Sequence, residues 1–337
     1  ATSGSGGFTK AGDGLATFGT GVRSYTGATV LNGGRLRVSL TAAPTTTSGF
    51  TINSGGQLTL ITAGTYNLGT GLLNLNGSGA ASGPFAAFGG AIRNDTGLAV
   101  TINNATVLQS DTLLHVQGSA VGSLTFANTI SGVGKLTLTA PGSDANQGQL
   151  VLNGNNSYEG GTAVNGGTLL VSGSSANLGT GNVTVDNASS TLSIAKLSLA
   201  SGVANAISDT AMLSLAGGGT AGVADQNFAD LGAGINEVVG GLTLGGILQG
   251  VGTYGSSGSS ALFKLDDYFA GTGTITVVPE PSVVVLATIG GMMALFLHRF
   301  GQKSILSRQM NHGDAPESAA KALKKFAPVN RAQIFRA

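Results

Sequence analysis

The chain contains no cysteine and no tryptophan. Without thiols, disulfide staples and thiolate nucleophiles are excluded, and so are zinc sites built on cysteine. Charge is scarce, at 9% of 337 residues, and aromatics reach only 5%. Low charge beside 41% hydrophobic residues argues against a disordered chain, which needs the opposite balance. The three histidines are dispersed: His115 stands alone in "LLHVQ", and His298 and His312 lie near the C-terminus. Such isolation gives no metal-ligand spacing. "GVGKL" (132–136) lacks the spacing and the final Ser/Thr of a phosphate loop, and no Gly-x-Ser-x-Gly elbow occurs. The opening "ATSGSGGFTK" carries no basic stretch and no apolar run of the signal-peptide kind. An exported chain with this start is expected to have lost its leader before residue 1, or to be a fragment.

What is abundant is glycine, 57 residues, among Ser, Thr, Asn and thinly spread aliphatics. That mixture suits many short strands joined by tight turns. Two stretches align without a gap, "SYTGATVLNGGRLRVS" (24–39) and "SYEGGTAVNGGTLLVS" (157–172). Weaker echoes are "FTINSGGQLTL" (50–60), "AVTINNATVLQS" (99–110) and "NVTVDNASSTLSIAKLSL" (182–199). Their common grammar is strand, Asn with Gly or Ala, strand. Asn-Gly tolerates positive φ, so it marks either a hairpin or the corner of a parallel coil. Repetition favours the coil, because one unit cannot bury its apolar side alone whereas stacked units build a continuous core. Asn32, Gly33, Gly34 and Asn165, Gly166, Gly167 are then expected at equivalent corners. On the order of a dozen coils would fill residues 1–276, with coils of about 20–25 residues.

"NGNNSYEGGTAVNGGTLLVSG" (153–173) resembles the autotransporter-associated β-strand repeat of bacterial passenger regions. The resemblance implies a right-handed parallel β-helix on an exported surface protein. "GTYGSSGSSALFKLDDYFAGTGTITVVPEPS" (252–282) resembles the end of proteins sorted by a PEP-CTERM system.

The C-terminal part changes character. Residues 1–297 carry eight Lys and Arg against thirteen Asp and Glu, a net of −5, and residues 298–337 carry eight against two, a net of +6. The sign changes beside an uncharged run, 283–297, which the positive-inside rule associates with a cytoplasmic C-terminal side. Fifteen residues span about 22 Å as a helix, short of a hydrocarbon core of about 30 Å. Pro279 and Pro281 fix an extended approach to it, and Arg299 and Lys303 supply a stop. The order Pro279-Glu280-Pro281, apolar span, Arg299 is similar to a PEP-CTERM signal. It implies an exosortase-type processing enzyme that cuts near Pro-Glu-Pro, a transient inner-membrane stage, and release to the cell surface or extracellular matrix of a Gram-negative-type bacterium. Such signals end soon after their basic cluster, whereas here residues 301–337 follow as a basic tail. In that tail 317–335 suits either a membrane-surface helix or a solvated segment.

Candidate chemistry is sparse. Asp266-Asp267 are adjacent, so on a strand they would face opposite ways; a turn suits them better than a glycosidase pair or a calcium site. Asp13 in "AGDG" lacks the repeated nonapeptide of calcium-binding rolls. Tyr25 and Tyr158 hold equivalent repeat positions, where they stack on neighbouring coils or line a carbohydrate face. Nucleic-acid binding lacks a basic patch before residue 298. The expected protein has no cofactor. It comprises a β-helical region (1–276), a sorting signal (277–300) with its transmembrane helix, and a basic tail. It acts as a non-enzymatic surface or matrix protein, touching membrane through 283–297 and, outside the cell, polysaccharide. The rivals are a polysaccharide-active β-helix enzyme and a stably anchored single-pass membrane protein.

Overall fold

Runs of three to five residues with alternating apolar character form short strands separated by glycine and asparagine corners, and these strands pair in parallel with the runs one turn before and after. This is the arrangement in the computed structural model, which describes residues 2–80, 82–85, 89–117, 122–140, 148–187 and 194–278, with Phe85 as backbone only. The transmembrane helix expected at 283–297, the tail 301–337 and the signal residues Pro279, Glu280, Pro281 and Arg299 lie outside the described residues. Among the described residues no helix is long and apolar enough to cross a membrane.

Three ladders of strands wrap one core. The first runs through Phe8–Lys10, Thr29–Leu31, Phe50–Ile52, Leu73–Gly77, the start of Thr106–Val116 and Ile130–Gly132. The second runs through Leu15–Phe18, Gly34–Val38, Gly56–Leu60, Ile92–Asn94, the end of Thr106–Val116, Leu136–Thr139, Thr162–Val164, Val183–Val185, Met212–Leu215 and Gly241–Leu244. These ten strands mean about ten turns of chain. The third ladder extends from Gly64–Tyr66 through Gln149–Leu152 and Gly167–Val171 to Phe269–Gly271. Thr106–Val116 passes through a corner without interruption. Gln109, Ser110 and Asp111 are exposed at the bend, and the strand thereby joins the first two ladders into one 16-stranded sheet.

Period-two alternation aims every second residue inward. Parallel in-register pairing then stacks like on like. Leu36, Leu58, Ile92, Leu114, Leu138, Val164, Val185, Leu215 and Leu244 form one continuous column. All but Leu138 and Leu244 are fully buried, and those two are 1% and 3% exposed. Corners stack too: Asn53 Nδ2 donates to Asn32 Oδ1 (2.7 Å), and Asn76 Nδ2 donates to Asn53 Oδ1 (3.4 Å) and Gln109 Oε1 (3.0 Å).

Both Asn-Gly-Gly triplets turn one strand into the next ladder, not back along the same one. Thr29–Leu31 pairs with the first ladder and Gly34–Val38 with the second, so the hairpin alternative fails. The triplets do not share a column, however. Asn32-Gly33-Gly34 joins the first ladder to the second, whereas Asn165-Gly166-Gly167 joins the second to the third. Equivalence is therefore local: the repeat encodes a strand–corner–strand unit that is placed one ladder further round at its second appearance. Within each triplet the third residue has the strict need for glycine. Gly34 (φ 64°) and Gly167 (φ 79°) are left-handed. A Cβ on Gly34 would lie 2.5 Å from the carbonyl oxygens of Gly12 and Gly14 in the coil beneath, and one on Gly167 would lie 2.5 Å from Ala140 Cβ and 2.6 Å from Gly148 O.

The parallel run of the second ladder ends at Leu244, while Phe269–Gly271 and Thr274–Val277 still pair in parallel with earlier strands. Gly245-Gly246 (φ 56° and 80°) fold Ile247–Leu248 back antiparallel on Gly241–Leu244, the two-residue turn that glycine permits. Gly252–Gly255 then pairs antiparallel with Thr274–Val277.

Gly34→Ala should therefore destabilise by about 1–3 kcal/mol, from left-handed strain and collision with backbone that cannot swing away. Gly33→Ala, where a Cβ would be 3.4 Å or more from its neighbours, should stay within about 0.5 kcal/mol. Thermal or denaturant unfolding of the two variants measures the difference; equal shifts would show that the corner does not discriminate between its glycines.

Candidate functional site

The aligned tyrosines come first because both repeats share them. Tyr25 and Tyr158 are 3% and 0% exposed. In each repeat the hydroxyl turns back to a threonine four residues on, Tyr25 to Thr29 and Tyr158 to Thr162, both at 2.7 Å. Burial pushes both tyrosine hydroxyls up from their ordinary pKa, against the lowering effect of the threonine bond. Neither ring is available to a carbohydrate. Each tyrosine fills the core and satisfies its hydroxyl locally, as a buried phenol must. The threonine partner escaped the sequence reading, although Thr29 and Thr162 also coincide in the alignment.

The adjacent acids are each engaged by a backbone amide. Asp266 Oδ1 accepts the Ser257 N–H at 2.6 Å, and Asp267 Oδ1 accepts the Gly222 N–H. Both brace turns. A third carboxylate, Glu237, was not anticipated. It is 1% exposed, and its two oxygens accept the Ala206 and Ile207 N–H groups at 3.0 and 2.6 Å. Burial raises its pKa, opposed by those two backbone bonds. Among the described residues no group of three or more His, Asp or Glu is placed to hold a metal ion.

Stacking does assemble one polar cluster that the linear sequence hides. Arg37, Thr59, Arg93 and His115 are successive partners on the outward side of the second ladder. Gly89 and Gly90, which lead into Ile92–Asn94, lie over this side. Thr59 is fully buried and Arg93 and His115 are 3% and 6% exposed, although they point away from the core. Asp95 Oδ1 accepts from Arg93 Nε (3.0 Å) and NH2 (2.9 Å), and Asp95 Oδ2 lies 3.7 Å from Arg35 NH1. Arg35 Nε donates to Gln57 Oε1 at 2.6 Å. Arg93 NH1 reaches up to the Gly89 carbonyl at 2.9 Å. Gly90 (φ 107°) lies so close that a Cβ there would sit 2.8 Å from His115 Cβ. The cluster thereby holds Gly89 and Gly90 against the coils. Among the described residues His115 Nε2 has no hydrogen-bond partner. Burial and then Arg93 hold its pKa near 4, with Arg35 adding to the depression and Asp95 and Gln117 opposing it. A neutral, covered imidazole is not presented to any substrate. The signal for this cluster was the step of 22 residues from Arg93 to His115, equal to that from Arg37 to Thr59.

A shallow cavity of about 420 Å³ lies near the C-terminal end of the described residues, lined by Asn236, Thr253, Ser260, Thr272, Thr274 and Thr276 among others. Thr274 and Thr276 hydroxyls both donate to Asn236 Oδ1 at 3.1 Å. The lining is uncharged.

The depressed His115 pKa fixes the sign of a pH effect. The unfolded imidazole takes a proton near 6.5 and the folded one only near 4, so stability is full above pH 6.5 and declines as pH falls toward 4. His115→Gln should flatten that decline. Unfolding midpoints at pH 7 and pH 4.5 measure it, and equal losses in both proteins would remove His115 as the cause.

Two stretches of the chain, residues 8–38 and 145–171, match the family model described as passenger-associated-transport-repeat. They contain both Tyr–Thr units and both Asn-Gly-Gly corners. No curated protein matches the chain, and no solved structure matches it. In those stretches the chain is similar to the repeats of autotransporter-associated passenger regions, and through them to exported surface proteins.

Proposed function

We propose that the chain is a non-enzymatic surface or extracellular-matrix protein, displayed as a stack of parallel coils and sorted through its C-terminal signal. One observation carries the first half. The residues shared by the two matched stretches are spent on the stack itself: Tyr25 and Tyr158 on buried hydroxyl bonds, Gly34 and Gly167 on corners with no room for a side chain. A repeat of this kind propagates a scaffold. The polar groups that a polysaccharide-active enzyme would use are engaged elsewhere, with Asp266, Asp267 and Glu237 on backbone amides and His115 covered. Contact with extracellular polysaccharide is non-catalytic in this reading.

The second half rests on the sequence. Pro279-Glu280-Pro281 presents an extended strand, 283–297 holds it at the bilayer, and Arg299 with Lys303 keeps the basic tail inside. An exosortase-type enzyme is the partner that would cut there.

Replacing Pro279-Glu280-Pro281 by three alanines should leave membrane insertion intact and abolish release, read by fractionating the producing cells and following C-terminal peptides by mass spectrometry. Unmutated protein that stays in the membrane with 317–337 attached would establish the permanent anchor instead. Turnover of an acidic or neutral polysaccharide that is lost on Asp266→Ala or Asp267→Ala would establish the enzyme.

A further inference from the structure

Exposed large apolar side chains are scattered singly along the described residues, as at Val22 and Val133, but five of them gather between residues 247 and 263. Ile247, Leu248, Val251 and Leu262 are 61–73% exposed and Phe263 is 42% exposed. The hairpin turned at Gly245-Gly246 sets Ile247–Leu248 at the free edge of the second ladder. Consecutive strand residues point to opposite sides, so exposure of both means that this strand projects with neither side covered. Leu262 projects beside the strand Phe263–Lys264, and Phe263 is exposed on the side away from Tyr254. Tyr254 ties the two projections together. Its hydroxyl donates to the Gly250 carbonyl (2.8 Å), and its ring stacks on Phe263 with centroids 4.9 Å apart. Gly252, next to Val251, packs so closely on Phe263 that a Cβ would sit 2.7 Å from the ring. Charge beside the tip is mixed: Lys264 is exposed and donates to the Ser257 carbonyl at 3.3 Å, while Asp266 and Asp267 accept the Ser257 and Gly222 N–H groups.

The tip also lies where the chain heads for its C-terminal segment. Thr274–Val277 pairs with Gly252–Gly255, which in turn pairs with Phe263–Lys264. Only five residues, 278–282, separate Val277 from Val283. At full extension that is roughly 20 Å of chain.

We propose that Ile247, Leu248, Val251, Leu262 and Phe263 form a membrane-contact tip that dips into the interfacial layer of a lipid bilayer; this rests on the reading of 283–297 as a membrane segment. A second copy or another protein covers one side of an edge strand. A fluid interface closes around a projection from all sides, which is what the doubly exposed pair Ile247–Leu248 requires. Val277, whose strand pairs with Gly252–Gly255, stands only five residues along the chain from 283–297, so a bilayer is the apolar phase that the chain itself supplies in this reading. Aliphatic and aromatic side chains of this size gain by leaving water for that layer.

The chain has no cysteine of its own, so Leu262→Cys, Leu98→Cys and Val284→Cys can each carry one environment-sensitive fluorophore in the full-length protein. Leu98 is 49% exposed and belongs to the third ladder, away from the tip. In vesicles of phosphatidylethanolamine and phosphatidylglycerol, the label at 262 should shift to the blue and be quenched by shallow spin-labelled lipid, while the label at 98 stays aqueous. Replacing Ile247, Leu248 and Phe263 by serine should abolish the shift at 262. An aqueous label at 262 while the label at 284 is in the bilayer overturns the tip alone. Aqueous labels at both positions overturn the tip and the membrane reading together. A lipid-exposed 262 beside an aqueous 284 keeps the tip and overturns the membrane segment. Shielding of 262 without vesicles, growing with protein concentration, overturns the tip in favour of a second copy.

Discussion

The constraint on which everything else depends is the parallel backbone ladder. Each short strand leaves half of its N–H and C=O groups for the strand one turn earlier and half for the strand one turn later, and buried backbone groups must find such partners. The ladder therefore fixes the length of each turn. Phe8, Thr29 and Phe50 are partners at steps of 21 residues. A longer turn is accommodated as long as the register resumes, as it does at Ile92 opposite Leu58, 34 residues on. With register fixed, side chains stack on their own kind, and a modest content of Leu, Val and Ile suffices for a continuous core.

The ladder explains which features were legible in the sequence. The strand–corner–strand grammar of 24–39 and 157–172 gave the all-β, parallel character, because Asn and Gly punctuation together with period-two alternation has few other solutions. Which glycine is indispensable was less legible. Adjacent Gly33 and Gly34 look alike on paper, and only the carbonyls of Gly12 and Gly14 one coil below distinguish them. The Arg93–Asp95–His115 cluster was illegible for a related reason: its members meet across coils and beneath Gly89 and Gly90, whose path local propensity does not set. Glu237 was hidden in the same way, since its two amide partners lie about thirty residues earlier. The closing hairpin at Gly245-Gly246 was present as a Gly-Gly pair between short apolar runs, but among 57 glycines one more pair carries little weight.

Buried polar side chains in the stack find partners by several routes. Tyr25 and Tyr158 bond threonines four residues on, Tyr254 bonds the Gly250 carbonyl, Glu237 takes two backbone amides, and Asn94 uses its amide on the carbonyls of Leu98 and Ser123 at 2.8 and 2.7 Å. Each bond contributes modestly, but each unmade bond costs more than it contributes. A chain without disulfides leans on such bonds for its order.

The two copies of the repeat begin on different ladders, and this bears on how such a surface diversifies. A unit that is complete in itself does not need to be gained or lost in whole turns. Acquiring one more strand and corner would rotate every later coil by a third of a turn about the axis, leaving its own contacts untouched. Loops and side chains downstream would then look out in a new direction. Descent by unequal exchange of such units could re-aim a displayed surface without changing the residues that make it up.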